Sequence, residues 1–266
     1  MSIVDAHCHV SPVWFEPVET LLFQMDRCGV AQATLVQLLG QFDNGYQQHC
    51  AARFPDRFVT VIAVDPSEPA ATQELRRWAQ AGATGVRLRP DARSPGDDPY
   101  AIWRAAQACG FAVSCVGTAA AFLSPAFAEL AQAFPRLSIV LEHLAGWARP
   151  DCDGSATTRA GLLELARLPN VFLKVPGLGQ LAKREPRLPA AGRALALEPG
   201  ALVLEMLAAF GARRLMWGSD FPPVAAREGY ESALCWTREL LGGVSASDMD
   251  LVFGGTARTV FRLPPP

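Results

Sequence analysis

Short runs of apolar, largely β-branched residues alternate with longer segments of helical spacing along the whole chain. Eight of these runs predict strands: Ser2–His7, Ala33–Leu38, Phe58–Val64, Thr84–Leu88, Phe111–Val116, Ser138–His143, Val171–Val175 and Arg214–Gly218. The segments between them, such as Val18–Cys28 and Tyr230–Leu241, space apolar residues as an amphipathic helix does. Because each helix must cross back over the sheet to the next strand, the order predicts an α/β fold with a parallel sheet. Eight such units favour one closed (β/α)₈ TIM barrel domain over residues 1–266.

The connections between the predicted elements differ in length according to their direction. Helix-to-strand links are short, whereas several strand-to-helix links are long: Arg89–Pro99, Leu144–Ala156, Pro176–Pro199 and Phe221–Gly229. In a barrel the long links gather at the carboxyl ends of the strands, where enzymes of this fold build their sites. We interpret the proline-rich stretch 184–199 as one such loop, because an eighth strand follows it. No Gly-x-Gly-x-x-Gly turn follows the first strand, which weakens the alternative of an open dinucleotide-binding sheet.

Composition excludes some classes of partner. Half of the 266 residues are hydrophobic and the net charge is −2, so no electrostatic case exists for a nucleic-acid or acidic-membrane partner. No apolar run approaches the ~20 residues that span a bilayer, and no secretory signal pattern opens the chain. The seven cysteines are scattered without a Cys-x-x-Cys pair, which favours reduced thiols. We expect a cytoplasmic protein that binds a small molecule, and leave homo-oligomerisation open.

Two histidines close the first predicted strand. Side chains alternate along a strand, so His7 and His9 should point the same way, with Ala6 and Cys8 opposite. Two imidazoles on one face suit a shared metal ion or a substrate oxygen. The alternative is a pair of hydrogen-bonded histidines at a strand edge.

Two further polar residues end later strands, since His143 closes the sixth predicted strand and Asp220 follows the eighth. The carboxyl ends of parallel strands lie at one end of a barrel, so we expect these two beside His7 and His9. Such a set can hold one divalent ion, for which imidazole and carboxylate ligands favour Zn²⁺ over Mg²⁺. His49, the fourth histidine, lies in a helical segment and is predicted to have no role.

Cations also occupy strand positions that should face inward. Alternation places Arg87 and Arg89 on the inner face of the fourth strand and Lys174 on that of the seventh. An unpaired charge there is costly, so we predict that Arg87 and Lys174 bind a carboxylate or hydroxyl of the substrate. The alternative for the arginines is a salt bridge to Asp5 or Asp65.

Three motifs together resemble the amidohydrolase superfamily of barrel hydrolases. They are Val-Asp-Ala-His-Cys-His at 4–9, Leu-Glu-His-Leu-Ala-Gly at 141–146 and Met-Trp-Gly-Ser-Asp-Phe-Pro at 216–222. The resemblance covers nearly the whole chain and is closest to the amidohydrolase-related branch, which includes lactonases of sugar lactones and of pyrone or muconolactone rings. The closing segment Phe253–Arg258 is also similar, with Thr256 where an Asn is usual.

Departures from the superfamily narrow what this resemblance implies. Metal-rich members carry a lysine or glutamate on the fourth strand that bridges two metals, but here that strand reads Gly85–Arg89. Decarboxylases of the branch carry His-Pro after the fifth strand, which here reads Val113–Gly117. The resemblance therefore implies a lactone-opening hydrolase with one metal ion or none. The alternatives are a non-oxidative decarboxylase of a carboxylated ring and a non-catalytic small-molecule-binding barrel.

A mechanism follows as a hypothesis. Asp220 is expected to act as the general base for the attacking water. His7 and His9 are expected to polarise the carbonyl, directly or through one Zn²⁺. His143 is expected to stabilise the oxyanion or to complete the metal shell.

Overall fold

Eight parallel strands in sequential order form a nearly closed barrel in the computed structural model, which describes residues 2–182 and 200–265. The strands are β1 (Ile3–Cys8), β2 (Val30–Val36), β3 (Phe58–Ala63), β4 (Gly85–Leu88), β5 (Ala112–Cys115), β6 (Ile139–Leu141), β7 (Val171–Val175) and β8 (Leu215–Trp217). Each strand pairs in parallel with the next. The predicted (β/α)₈ barrel is confirmed.

Helices follow the strands in alternation. They are α1 (Val18–Cys28), α2 (Gly45–Arg53), α3 (Ala71–Gln80), α4 (Ala101–Ala108), α5 (Ala119–Phe122), α6 (Pro125–Ala133), α7 (Ala156–Glu164), α8 (Gly200–Phe210), α9 (Tyr230–Leu240), α10 (Ala246–Asp250) and α11 (Thr256–Phe261). Helix α6 shows the local signals well: the Ser124 hydroxyl accepts a hydrogen bond from the Phe127 amide, and Pro125 opens the helix. The predicted loop at 184–199 lies outside the described residues.

Alternation along the strands separates an outer apolar layer from the barrel interior. Val86, Leu88 and Leu173 face outward and belong to the large buried cluster that contains the helices. The lower interior is also apolar, because Val61 and Val140 pack there with residues of α11. Gln32, near the start of β2, accepts a hydrogen bond from Arg258 of α11 at the amino end, and further polar side chains enter the interior nearer the carboxyl ends of the strands.

A bulge interrupts the alternation in β1. Asp5 pairs with Ala33 and Cys8 with Leu35, so β1 uses one residue more than β2 over this stretch. As a result Ala6 packs in the interior cluster with Val61, and our prediction that it faces away from the barrel interior is wrong. The extra residue still brings His7, in β1, and His9, just after the strand, to the site of Asp220.

The seam between β1 and β8 closes at the carboxyl end of the barrel. The Asp220 amide donates to the His7 carbonyl oxygen at 2.8 Å, and the His9 amide donates to the Phe221 carbonyl oxygen at 2.8 Å. This close approach requires glycine at 218, since a Cβ there would lie 2.6 Å from the Cβ of His7. The seam thus fixes the two histidines beside the acid.

Within the part of the chain that the structure describes, no helix has both the length and the apolar character needed to cross a membrane.

Candidate active site

Four of the predicted site residues meet at the carboxyl end of the barrel. The Nε2 atoms of His7 and His9 lie 3.8 and 3.6 Å from Asp220 Oδ1. The ring centroids of His7 and His143 are 5.1 Å apart. Residues up to 213 positions apart in sequence, His7 and Asp220, therefore share one site because their strands end on the same rim.

Two of these residues adopt an uncommon backbone conformation. His143 has φ 53° and Asp220 has φ 59°, which places both in the left-handed region that non-glycine residues rarely occupy. The predicted sixth strand ran to His143, but β6 ends at Leu141. The chain turns out of the strand geometry just where it presents the imidazole. Such conformations cluster at functional sites because the surrounding structure must hold them in place.

Asp220 is held as a carboxylate with one oxygen turned to the histidines. Its Oδ2 accepts hydrogen bonds from Arg227 Nη1 at 2.9 Å and from Gln180 Nε2 at 3.4 Å. Burial opposes ionisation, but the contact with His9 and the positive charge of Arg227 outweigh it, so the pKa of Asp220 lies below its ordinary value. The free Oδ1 is thus an ionised acceptor at neutral pH.

Hydrogen bonds at Nδ1 set the orientation of two imidazoles. His9 Nδ1 lies 2.7 Å from the Val36 carbonyl oxygen, and His143 Nδ1 lies 3.0 Å from Gln180 Oε1. Both partners accept only, so each Nδ1 carries a proton, and Nε2 of a neutral ring then offers a lone pair. Burial also lowers the pKa of His143, which keeps that ring neutral.

A chain of charged and polar side chains lies in the barrel behind the histidines. Arg87 Nε and Nη2 donate to the two oxygens of Glu142 at 3.0 and 2.6 Å. Ser114 Oγ donates to Glu142 Oε1 at 2.7 Å. Lys174 Nζ donates to Ser114 Oγ at 2.7 Å and lies 2.8 Å from His7 Nδ1. This chain, the interior polar chain, connects Arg87 with His7.

The charges of this chain determine the proton on His7. Burial opposes ionisation of Glu142, but the charges of Arg87 and Lys174 hold its pKa well below the ordinary value. Burial lowers the pKa of Lys174 to about 8, so Nζ is an ammonium at neutral pH. An ammonium only donates, so His7 Nδ1 accepts and Nε2 carries the proton. That buried Nε2 has no hydrogen-bond partner among the described residues.

The sequence model of the amidohydrolase family matches residues 4–263, nearly the whole chain. The chain belongs to the amidohydrolase family. The confirmed resemblance extends to solved structures: a Burkholderia multivorans amidohydrolase with bound zinc superposes with a TM-score of 0.81 over 99% of this chain and 100% of the other, at 22% identity. At that identity the likeness describes the fold alone.

Two curated relatives are lactone hydrolases. An L-fucono-1,5-lactonase of Burkholderia ambifaria is 35% identical over 147 residues, which cover 53% of this amidohydrolase and 47% of the relative. A 4-sulfomuconolactone hydrolase of Hydrogenophaga intermedia is 25% identical over 188 residues, 68% of this chain and 56% of the relative. The chain thus spans about half the length of the curated relatives it matches.

Arg87 has a different partner from those considered. Its ion pair is with Glu142, whereas Asp5 binds Ser219 and Asp65 binds Ser67. The predicted alternative of a salt bridge to a strand acid therefore holds for Arg87, but the acid is Glu142 and neither Asp5 nor Asp65. Alternation could have found Glu142, since it shares a face of the sixth strand with the inward Val140. Contact of Arg87 and Lys174 with the substrate stays a prediction.

Three further residues, Arg89, His49 and Arg227, lie outside the interior polar chain. Arg89 lies beyond the end of β4 and pairs with Asp91 at 3.2 Å as an exposed side chain, so it does not join the interior. His49 is exposed on α2. Arg227 was missed altogether, because it follows no strand or helix period and its position depends on the loop after β8. No pattern in the sequence could have identified it.

The residues present fit a single divalent ion. His7, His143 and Asp220 each offer one ligand atom, and these atoms lie within 4.8 Å of one another. Two imidazoles and one carboxylate form a donor set typical of zinc sites with an open position. The buried Nε2 of His7 is the unpartnered atom that an ion would engage. To bind an ion, Nε2 must lose its proton, so the proton of His7 must lie on Nδ1. Nδ1–H then faces Lys174 Nζ, which must be a neutral amine to accept from it. Ion binding and the charge of Lys174 are therefore coupled.

Proposed function

We propose that this amidohydrolase opens the ring of a small lactone by base-assisted attack of water. The observation that carries the proposal is the ionised Oδ1 of Asp220, 3.6 to 3.8 Å from two imidazole nitrogens. These distances exceed those of direct hydrogen bonds and suit groups that close around a water molecule or a substrate oxygen. The lactonase and lactone hydrolase names of the two curated relatives support the same reaction class.

The protonation states assign a role to each side chain. Asp220 Oδ1 takes a proton from the water as its oxygen attacks the lactone carbonyl carbon. His7 Nε2–H donates to the carbonyl oxygen as negative charge develops on it. The bare Nε2 atom of His143 accepts from the second O–H of the same water and orients it. The ring C–O bond then breaks, and Asp220 passes its proton to the leaving oxygen to give a hydroxy acid. These hydrogen bonds favour His7 over His143 as the oxyanion donor.

Zn²⁺ is the ion we propose for the set of His7, His143 and Asp220. When bound, a divalent ion of this kind polarises a carbonyl and lowers the pKa of water. Elemental analysis of the purified protein, followed by turnover before and after chelation, tests its requirement. Bound zinc with turnover lost on chelation supports the metal-assisted form, and undiminished turnover in a zinc-free sample supports the metal-free form.

The small-molecule substrate and the cytoplasmic location belong to the same proposal. All seven cysteines are free thiols, two of them on the exposed or half-buried surface of α1 and α9. Free thiols are common in reducing compartments, which supports a cytoplasmic setting.

Product analysis tests the reaction class. Lactones, including L-fucono-1,5-lactone, and carboxylated aromatic rings are incubated with the enzyme while acid release and CO₂ release are followed in parallel. We expect one proton per lactone opened and no CO₂. Release of CO₂ would instead identify a decarboxylase, and saturable ligand binding without any product would identify a binding protein. The side chain that β5 directs into the barrel beside Glu142 is Ser114, which is not an imidazole. The lack of an imidazole there weighs against decarboxylation.

A further inference from the structure

A second cavity opens beside the catalytic residues at the carboxyl end of β3 and β4. It measures about 500 Å³, within the range of small-molecule sites. Arg87 forms part of its wall, and the same side chain binds Glu142, whose Oε2 lies 3.8 Å from His143 Nε2. The cavity therefore adjoins the site through one shared residue.

Apolar side chains dominate this cavity and stay exposed to solvent. Leu39 and Phe42, from the segment after β2, line it with 50% and 47% of their surface exposed. Val64 and Pro66 complete that side. Large apolar groups left in water at a concave surface mark a place where a ligand covers them. None of these four side chains offers a hydrogen bond to a sugar hydroxyl.

The cations of the cavity wall already have partners. Arg87 holds Glu142 with two donors and the Gln37 carbonyl oxygen with a third at 2.9 Å. Arg89 pairs with Asp91, and Arg93 donates to two backbone carbonyl oxygens. Arg87 could bind a substrate carboxylate or sulfonate only by giving up these contacts, whereas the exposed Arg89 keeps further N–H donors that face solvent. Apolar contact with Leu39 and Phe42 is the recognition that the cavity offers without rearranging Arg87.

We propose that the substrate is a lactone whose ring carries an apolar alkyl or aryl substituent, and that Leu39 and Phe42 receive this substituent. The inference rests on the proposed lactone-opening function and names its substrate class. It distinguishes the proposed substrate from hydroxyl-rich sugar lactones, which present no apolar group to Leu39 and Phe42.

A homologous series of substrates tests the proposal. δ-Valerolactone, its 5-methyl to 5-pentyl homologues and L-fucono-1,5-lactone are compared by kcat/KM. Burial of each added methylene should raise kcat/KM about threefold to fourfold until the cavity is full. A flat or falling series with measurable turnover of the parent lactone, or a preference for the fuconolactone, overturns the substrate class and leaves the proposed function standing.

Phe42→Ala identifies the surface responsible. The variant should lower kcat/KM for the pentyl lactone about tenfold and no further, because half of the Phe42 ring is already in water. The kcat/KM of the parent lactone, which has no substituent to place in the cavity, should stay within about twofold. Phe23→Ala is the matched control, because Phe23 is an exposed phenylalanine on α1. An equal loss on every lactone in Phe42→Ala, or the same loss in Phe23→Ala, overturns the assignment.

δ-Valerolactam and its 6-alkyl homologues resist hydrolysis, so their binding tests the apolar cavity independently of lactone turnover. If no lactone turns over, the proposed function fails, and calorimetric Kd values then decide the cavity. A Kd that falls about threefold per methylene, and does not in Phe42→Ala, supports the apolar cavity. A Kd independent of chain length overturns it, as does a wild-type dimer in sedimentation that Phe42→Ala converts to monomer.

Discussion

The half of the barrel interior at the amino ends of the strands, the lower half, is mainly apolar. The half at their carboxyl ends, the upper half, contains charged side chains. Below, Val61 and Val140 pack with Phe261 of α11 in an apolar cluster, and Lys174 Nζ borders that cluster 5.4 Å from the centroid of the Phe261 ring. Above, Arg87, Glu142 and the rest of the interior polar chain place charges in the same dry space. The lower half follows from the hydrophobic effect alone, whereas each charge of the upper half must be paired to be tolerated.

The difference shows where stability and chemistry are separated in this fold. A buried ion pair is weak evidence of stabilisation, since an apolar pair of similar volume often serves as well. The upper half keeps its charges nonetheless, and they end on His7 at the catalytic site. We therefore expect changes in the lower half to alter stability alone and changes in the upper half to alter chemistry as well.

Asp220→Asn should have the largest effect. The amide cannot accept the proton of water, so kcat should fall by about 10³ to 10⁴ while the free energy of unfolding stays near wild type. Steady-state kinetics on the best lactone and urea unfolding measure the two quantities. Turnover within tenfold of wild type would remove Asp220 from the role of base.

Glu142→Gln should have the largest effect on stability. It leaves the cations of Arg87 and Lys174 buried without their anion, so the free energy of unfolding should fall by about 3 to 5 kcal/mol. Urea denaturation measures it, and Glu239→Gln on α9 serves as a control that leaves the barrel interior untouched. A loss under 1 kcal/mol would show that the pairing of these charges is dispensable.

Val61→Ala probes the lower half. Two lost methyl groups and the cavity they leave should cost about 2 kcal/mol of unfolding free energy, with kcat within about twofold of wild type. Unfolding and initial rates on the same preparations test both statements. A large drop in kcat in Val61→Ala would contradict the statement that changes in the lower half alter stability alone.

Lys174→Met should produce the smallest change, visible in the pH dependence of stability. Because burial lowers the pKa of Lys174 to about 8 from 10.5, the unfolded chain binds more protons than the folded chain between these values. Stability contributed by this residue therefore rises with pH in that window, by about 1 kcal/mol from pH 8 to 9. Urea unfolding in EDTA should show wild type gaining on Lys174→Met over this range. A constant difference between the two would show that burial does not lower the pKa of Lys174, and would contradict this account of its buried charge.

The order of strands and helices could be predicted from the sequence because apolar period and chain direction determine it. All eight predicted strands lie on observed ones, α1 has the predicted bounds, and α9 ends one residue before the predicted Leu241. The details that failed are backbone irregularities. The bulge of β1 moved Ala6, and the left-handed turn at His143 ended β6 two residues early. Neither the bulge nor the turn changes the periodicity of hydrophobic residues, so neither could be predicted from it.

The site divides in the same way. His7, His9, His143 and Asp220 could be predicted because they follow strands whose ends meet on one rim. The groups that set their protonation could not, because a hydrogen-bond partner depends on register between strands. Lys174 was expected inside the barrel, but its contact with a histidine across the interior requires coordinates.

A crystal structure with a bound δ-lactam tests the central claim most directly, since that claim joins the polar rim to lactone opening. We predict the lactam carbonyl oxygen within hydrogen-bond distance of His7 Nε2 and a water molecule between Asp220 Oδ1 and the carbonyl carbon. A lactam bound with its carbonyl beyond the reach of both side chains would contradict the claim.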